Sequence, residues 1–309
     1  MSLEVKIGKL KLKNPIIAAS GTFGFGQEMS KFYDVSALGA VVTKTITLEP
    51  RKGNPTPRVV ETPSGMLNSI GLENVGLHEF ILNKIKILER LKMPVIVSIA
   101  GDDIKDFRKL AEELSGFKCV SALELNLSCP NIKHKPQSGK FKLIAQDSYI
   151  TEKVVSSVRK KTKLTIIVKL SPNITDICEI GKAAETAGAD AISAVNTVFG
   201  LKVDITNRKA FLGNTVGGLS GPAIKPIALY FVRELYQAVK IPIIGMGGIM
   251  SAEDVYEFIL CGAQCVQVGT ANFVDPDACR TIVEDLKRFV EKNRISDIMS
   301  HRGKLGLLK

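Results

Sequence analysis

The chain has 309 residues with a formal net charge of +11, and 45% of them are hydrophobic, which is ample for a sizeable core. No run of eighteen apolar residues or signal-peptide pattern is present, and aromatic residues make up only 6%, so we expect neither a membrane anchor nor a nucleic-acid partner. The six cysteines include no C-x-x-C pair, which predicts a reduced, cytoplasmic protein without a disulfide framework, zinc site or iron–sulfur cluster of its own.

Strand and helix patterns alternate along nearly the whole chain, which predicts a parallel α/β sheet. A short β-hairpin (residues 3–12, turning at Gly8) precedes eight predicted strands at residues 15–20, 40–45, 94–100, 122–127, 165–170, 191–196, 242–245 and 265–269. Helices are predicted between them at residues 77–91, 104–114, 148–161, 175–187, 223–239, 252–260 and 276–291. Eight such strands close most simply into one (β/α)₈ TIM barrel spanning residues 1–309 as a single domain.

Two connections are too long for simple turns, namely residues 46–76 after the second strand and residues 199–221 after the sixth. Loops that follow the strands of a parallel barrel lie over its C-terminal face, where active sites of this architecture are found. We therefore expect both segments to be functional loops or lids over that face.

A cluster of polar side chains follows the fourth predicted strand. Asn126 and Asn131 flank Cys129, and Pro130 ends the strand because proline cannot donate to the ladder. Cys129 is then a candidate base or nucleophile oriented by two carboxamides, although a packed structural cysteine fits the same local pattern.

The rest of the chain offers few other candidates for a catalytic base. None of the three histidines, at positions 78, 134 and 301, is placed for a catalytic dyad or a metal cluster. The other cysteines, at positions 119, 178, 261, 265 and 279, are expected to pack in the interior. Cys129 is therefore the best base that the sequence offers.

Two lysines stand at strand ends, Lys44 after the second strand and Lys169 at the end of the fifth. Their apolar neighbours indicate that both amines point into the mouth of the barrel, where they could stabilise a phosphate, a substrate carboxylate or a reduced cofactor. A Schiff-base lysine and a solvated lysine at a strand tip are the alternatives.

Glycine-rich turns follow the seventh and eighth strands. Small residues let backbone N–H groups approach an anion, and turns at these two places form the usual phosphate site of a barrel. Tight turns that need glycine only for conformational reasons are the alternative. The candidate phosphate-binding residues are Gly247, Gly248, Gly269 and Thr270, with Gly221 nearby.

Carboxamides also accumulate on this face, at Asn68, Asn126, Asn131 and Asn196, the last followed by Thr197. Because a carboxamide both donates and accepts hydrogen bonds, several converging ones suit a planar, amide-rich substrate.

These residues resemble the class 1 dihydroorotate dehydrogenases, FMN enzymes of pyrimidine synthesis. Nine ordered motifs carry the resemblance, at residues 19–22, 43–45, 53–58, 68–72, 126–131, 168–173, 217–222, 245–249 and 268–271. Residues 61–68 are more similar to the NAD-linked subclass, class 1B, than to the fumarate-linked subclass, class 1A.

The resemblance implies FMN at the barrel mouth and dihydroorotate beside it. The implied FMN contacts are Ser20, Gly21, Lys44, Thr45, Ser98, Asn126, Lys169, Val195, Gly221, Gly247, Gly248, Gly269 and Thr270. The implied substrate contacts are Lys44, Asn68, Ser69, Ile70, Gly71, Leu72, Asn126, Asn131, Asn196 and Thr197. Cys129 corresponds to the base that removes the C5 proton while hydride passes from C6 to N5 of FMN, and Lys44 and Lys169 assist.

Membership of class 1B would imply that electrons pass to NAD through a separate subunit carrying FAD and a 2Fe–2S cluster, in a heterotetramer built on a homodimer. Two features depart from the expected pattern. Ser98 stands where the third strand of the family usually has an asparagine, and residues 132–140 differ from the glycine-rich loop of class 1B and contain a Lys-Pro-Gln similar to class 1A. The alternatives are a class 1A enzyme, a dihydropyrimidine dehydrogenase-like FMN barrel, and a non-catalytic flavoprotein subunit.

Overall fold

The computed structural model describes residues 2–127 and 143–306, and its centre is a closed barrel of parallel strands that neighbour one another in chain order. The first to eighth barrel strands are Ile16–Ala18, Ala40–Val42, Val95–Ile99, Val120–Asn126, Thr165–Lys169, Ala191–Ala194, Ile243–Met246 and Cys265–Val268. This arrangement confirms the predicted TIM barrel. The strands are buried on both faces, which accounts for their near-continuous apolar sequences.

Helices cover the outside of the barrel and begin where the sequence supplies capping side chains. Asp103, Asp147 and Asp176 each accept hydrogen bonds from backbone N–H groups in the first turn of the following helix. None of the described helices is long and apolar enough to cross a bilayer. The α-helical segments are Gly76–Glu79, Ile85–Leu88, Ile104–Leu114, Ser148–Arg159, Ile177–Thr186, Lys225–Ala238, Ala252–Cys261, Ala271–Val274 and Ala278–Lys292, with a π-helical turn at Phe80–Lys84.

The predicted N-terminal hairpin closes one end of the barrel. Strands Val5–Ile7 and Leu10–Leu12 pair antiparallel, and their alternate apolar side chains join the cluster inside the barrel that contains Ile17 and Ile167. The backbone N–H of Lys9, in the turn, donates to Oγ1 of Thr165, the first residue of the fifth barrel strand. The hairpin therefore plugs the N-terminal end and leaves the C-terminal end for a site.

The two long connections, which we expected to be functional loops or lids over the C-terminal face, do lie there, and they pair with each other in a small antiparallel sheet. We call this sheet the lid sheet, and its strands in spatial order are Val198–Gly200, Gly217–Ser220, Gly65–Asn68 and Val59–Thr62. Asn68 pairs with Gly218 across 150 residues of sequence. Such short, glycine-containing strands acquire their structure from a distant partner, so the local pattern does not reveal them.

Candidate active site

A cavity of about 310 Å³ lies between the C-terminal ends of the barrel strands and the lid sheet. It brings together every described residue that the sequence predicted for the site, with the exception of Ser98. Cys129 and Asn131 lie outside the described residues. The predicted residues that line the cavity are Ser20, Gly21, Lys44, Thr45, Asn68, Ser69, Ile70, Gly71, Leu72, Asn126, Lys169, Val195, Asn196, Thr197, Gly221, Gly247, Gly248, Gly269 and Thr270.

Thr45 is the hydrogen-bonding centre of one wall of the cavity. Its Oγ1 lies 2.9 Å from Oγ of Ser98 and 3.4 Å from Oγ of Ser20, and it accepts a hydrogen bond from Nδ2 of Asn126 at 3.3 Å. Ser98 is completely buried and is absent from the cavity lining, so it lies behind Thr45. In this structure Ser98 supports a wall residue instead of facing the cavity.

The glycine turns after the seventh and eighth strands form a compact cradle with the lid sheet. Gly248 has φ +76°, and a Cβ atom there would lie 2.7 Å from Cβ of Lys225 and 2.9 Å from the carbonyl oxygen of Gly221. A side chain is therefore excluded at Gly248 by both conformation and space. Thr270 donates from Oγ1 to Oγ of Ser220 at 2.8 Å, which ties the eighth strand to the lid sheet.

The loop that carries Asn68–Leu72 is braced by residues outside the cavity. Nδ2 of Asn54 donates to the carbonyl oxygen and the hydroxyl of Ser69, at 3.1 and 2.9 Å. Arg58 donates to the carbonyl oxygen of Asn54 and forms an ion pair with Glu73 at 2.7 Å. These bonds position the predicted substrate loop, although neither Asn54 nor Arg58 lines the cavity.

The turn after the sixth strand is held in a similar way. The backbone N–H of Thr197 donates to Oδ1 of Asn196 at 2.8 Å. Asn173, from the segment after the fifth strand, donates to the carbonyl oxygen of Thr197 at 3.0 Å and accepts from the N–H of Phe199 at 2.9 Å. Asn173 therefore connects two neighbouring strand ends at the rim of the cavity.

A charged group inside the barrel was not among the predicted site residues. Glu124 is completely buried, and its Oε2 accepts hydrogen bonds from Ser193 at 3.0 Å and from Nε2 of Gln267 at 2.5 Å. Its Oε1 lies 4.0 Å from Nζ of Lys169. The period-two alternation of a strand could have revealed both residues, because Glu124 shares a strand face with Asn126, and Gln267 with Gly269.

The described cysteines pack in or against the hydrophobic core, where Cys119 and Cys178 are only partly buried and the other three are buried. Burial raises the pKa of the Cys279 thiol to about 12, and burial likewise raises the pKa of Cys265. Burial also raises the thiol pKa values of Cys119, Cys178 and Cys261. Because the thiolate is the reactive form, these five thiols are poorly suited to act as bases or nucleophiles at neutral pH. Within residues 2–127 and 143–306, no group of three or more His, Cys, Asp or Glu side chains could hold a metal ion.

Comparison with known proteins shows the family of the chain. The family model described as dihydroorotate dehydrogenase matches residues 2–290. The chain belongs to the dihydroorotate dehydrogenase family. It is 51% identical over 300 residues to the protein named dihydroorotate dehydrogenase B (NAD(+)), catalytic subunit, of Desulforamulus reducens, with 96% of each chain covered.

Proteins of the same name from other bacteria are almost as similar. The Geotalea uraniireducens protein is 48% identical over 303 residues, with 98% of each chain covered. The protein of Bacillus cereus strain B4264 is 48% identical over 302 residues, which cover 98% of this chain and 96% of the relative. The resemblance found in the sequence motifs therefore extends over the full barrel of this dihydroorotate dehydrogenase family member.

Proposed function

We propose that this chain catalyses the FMN-dependent oxidation of dihydroorotate to orotate in pyrimidine synthesis in the cytoplasm. The observation that carries the proposal is the composition of the cavity described above. Its lining combines a glycine cradle, two strand-end lysines and five carboxamides, three of which (Asn68, Asn126 and Asn196) the sequence predicted, in a chain of the dihydroorotate dehydrogenase family. The free state of the described cysteines supports a reducing compartment.

The residues present fit FMN. The cradle at Gly248 and Gly221 excludes side chains, and such backbone supplies N–H groups to a phosphate. Gln267 lines the cavity with its buried Oε1 lacking a hydrogen-bond partner, which leaves an acceptor for a polar ligand. Gly247, Gly248, Gly269 and Thr270 would hold the phosphate, and Ser20, Lys44 and Lys169 would contact the flavin ring. Bound FMN supplies the sink for the two electrons that leave dihydroorotate.

The chain's own residues hold the substrate and move one proton. Asn68, Asn126, Asn131 and Asn196 bind the amide and carboxylate edges of dihydroorotate without competing for that proton. Lys44 provides a positive charge for an anionic group, in a site where a charge-assisted hydrogen bond is stronger than a neutral one. Cys129 removes the proton from C5.

NAD is the proposed final electron acceptor, reached through a second subunit that carries FAD and a 2Fe–2S cluster, in a heterotetramer built on a homodimer. The names of the relatives support this, because they contain both NAD(+) and catalytic subunit. The sequence of this chain contains neither a cysteine set for such a cluster nor a dinucleotide Gly-x-Gly-x-x-Gly turn after a strand.

The purified FMN-loaded chain, assayed without any partner, is expected to oxidise dihydroorotate rapidly with an artificial dye as acceptor and to reduce NAD only at a trace rate. The dye reaction is the positive control, since it shows that the chain is active. Reduction of NAD at the full dye-coupled rate by the chain alone would rule out the partner. Rapid turnover with fumarate would instead assign the chain to class 1A.

The reaction itself is tested by mixing the FMN-loaded chain with dihydroorotate in the absence of oxygen. The flavin absorbance is expected to bleach, because electrons from the substrate have no other acceptor. A chain that holds FMN but keeps its absorbance unchanged under these conditions does not catalyse the proposed reaction.

A further inference from the structure

A carboxylate inside the barrel has no part in the proposed reaction. Glu124 lies in the middle of the fourth strand and is completely buried. Its neighbour two residues earlier, Ala122, belongs to the apolar cluster inside the barrel, and its neighbour two residues later, Asn126, lines the cavity. Because alternate residues share a strand face, Glu124 points into the barrel between the apolar core and the cavity floor.

Burial of a carboxylate is costly unless nearby groups compensate it. The two hydrogen bonds to Glu124, from Ser193 and Gln267, both reach Oε2. Its Oε1 has no hydrogen-bond partner and lies 4.0 Å from the amine of Lys169. In the described part of the chain, Lys169 is the one cation within ion-pairing distance of Glu124.

Lys169 connects this carboxylate to the cavity. It ends the fifth strand, its register partner on the fourth strand is Asn126, and it lines the cavity although only 4% of it is exposed. The pair therefore has its anion inside the barrel and its cation at the cavity floor. The field that Lys169 exerts on a ligand above it is then reduced by the opposite charge beneath it.

We propose that Glu124 is an ionised positioning residue, the buried counter-ion that holds the Lys169 amine at the cavity floor and sets how strongly the site favours negative charge on the bound cofactor. The inference rests on the proposed function, since the cofactor is the FMN proposed above. Glu124 would then control the electron-accepting step although it does not line the cavity. Ser193 and Gln267 fix the carboxylate by hydrogen bonds from the sixth and eighth strands.

The test is the two-electron midpoint potential of FMN in the Glu124→Gln variant, measured by anaerobic dye-coupled titration. Reduction of the flavin at neutral pH adds negative charge to its ring, so removing a buried anion beneath Lys169 favours the reduced form. Charge changes across a buried site are worth on the order of tenfold in such an equilibrium. The potential is therefore expected to rise by about 30 mV.

Two further variants separate charge from structure. Ser193→Ala removes one hydrogen bond to Glu124 but keeps both charges, so its potential is expected to stay close to that of the unaltered chain. The double variant Glu124→Gln/Lys169→Gln removes both charges, and its potential is expected to return toward the starting value. If the Glu124→Gln chain does not fold, the potential of the double variant is compared with that of Lys169→Gln. Lys169→Gln keeps the carboxylate, so its potential is expected to be the lower of the two.

The outcomes distinguish this inference from the proposed function. If the chain binds FMN and the potential is the same in Glu124→Gln and the unaltered protein, the carboxyl is a neutral hydrogen-bonding group and the inference is wrong, while the proposed function stands. A Ser193→Ala shift as large as that of Glu124→Gln would also overturn it, because geometry rather than charge would then control the potential. Failure of the unaltered chain to bind FMN would overturn both.

Discussion

Replacement of Cys129 by alanine is expected to slow the reduction of bound FMN by dihydroorotate by ~10² to 10⁴-fold at neutral pH, because a positioned base contributes about that much to a proton transfer. FMN binding and orotate binding are expected to survive, since the thiol is not needed to hold either molecule. The measurement is the rate of flavin bleaching after rapid anaerobic mixing, at saturating dihydroorotate.

Two controls accompany that variant. Cys129→Ser is expected to retain part of the rate and to reach its maximum at higher pH, because a hydroxyl is a much weaker acid than a thiol. Cys178→Ala changes a half-buried cysteine on the outer helix Ile177–Thr186 and is expected to have no effect on the rate. An unchanged bleaching rate in Cys129→Ala would assign the proton to another group.

The variant Gly248→Val is expected to bind FMN with an apparent dissociation constant at least ~100-fold higher, because several hydrogen bonds to a charged phosphate are lost. The new side chain would meet the backbone of Lys225 and the carbonyl oxygen of Gly221, both 2.9 Å from the added Cβ, at a residue whose φ of +76° already disfavours it. The cradle must move to admit it. FMN binding is followed by quenching of flavin fluorescence in the apoprotein.

Two other glycines provide matched comparisons for Gly248→Val. A Cβ at Gly306 would meet no atom within 4 Å, so Gly306→Val is expected to bind FMN normally. Gly269 lines the cavity, and a Cβ there would lie 3.7 Å from its nearest protein atom. Gly269→Ala is therefore expected to fold normally and to bind FMN more weakly than the unaltered chain. Normal affinity in both Gly248→Val and Gly269→Ala would place the phosphate elsewhere.

The barrel was predictable because each of its strands has a local signature. The third strand, for example, was predicted at residues 94–100 and observed at Val95–Ile99, where five consecutive buried residues follow a proline. The lid sheet was not predictable in the same way. Its strand Gly65–Asn68 is stabilised by Gly217–Ser220, and that contact across 150 residues leaves no periodic pattern in either segment.

The cavity lining was predictable for a related reason, since residues at the C-terminal ends of barrel strands converge whatever their separation in sequence. Lys44, Asn126 and Gly248 were all found by that rule. The same rule predicts less well the residues that lie inside the barrel beneath the cavity lining. Ser98 was expected to contact the cofactor, but it is completely buried in the barrel behind Thr45. Glu124 was included in an apolar strand at residues 122–127, although a carboxylate in such a strand is itself unusual.

The most direct test of the account is an anaerobic titration of the FMN-loaded chain with dihydroorotate, followed by flavin absorbance and by the amount of orotate formed. Bleaching is expected to be complete near one dihydroorotate per FMN, with one orotate released for each flavin reduced. Dihydrouracil, which lacks the carboxylate, serves as the matched substrate and is expected to leave the flavin oxidised. Bound FMN that stays oxidised with dihydroorotate, or that bleaches equally well with dihydrouracil, would contradict the account.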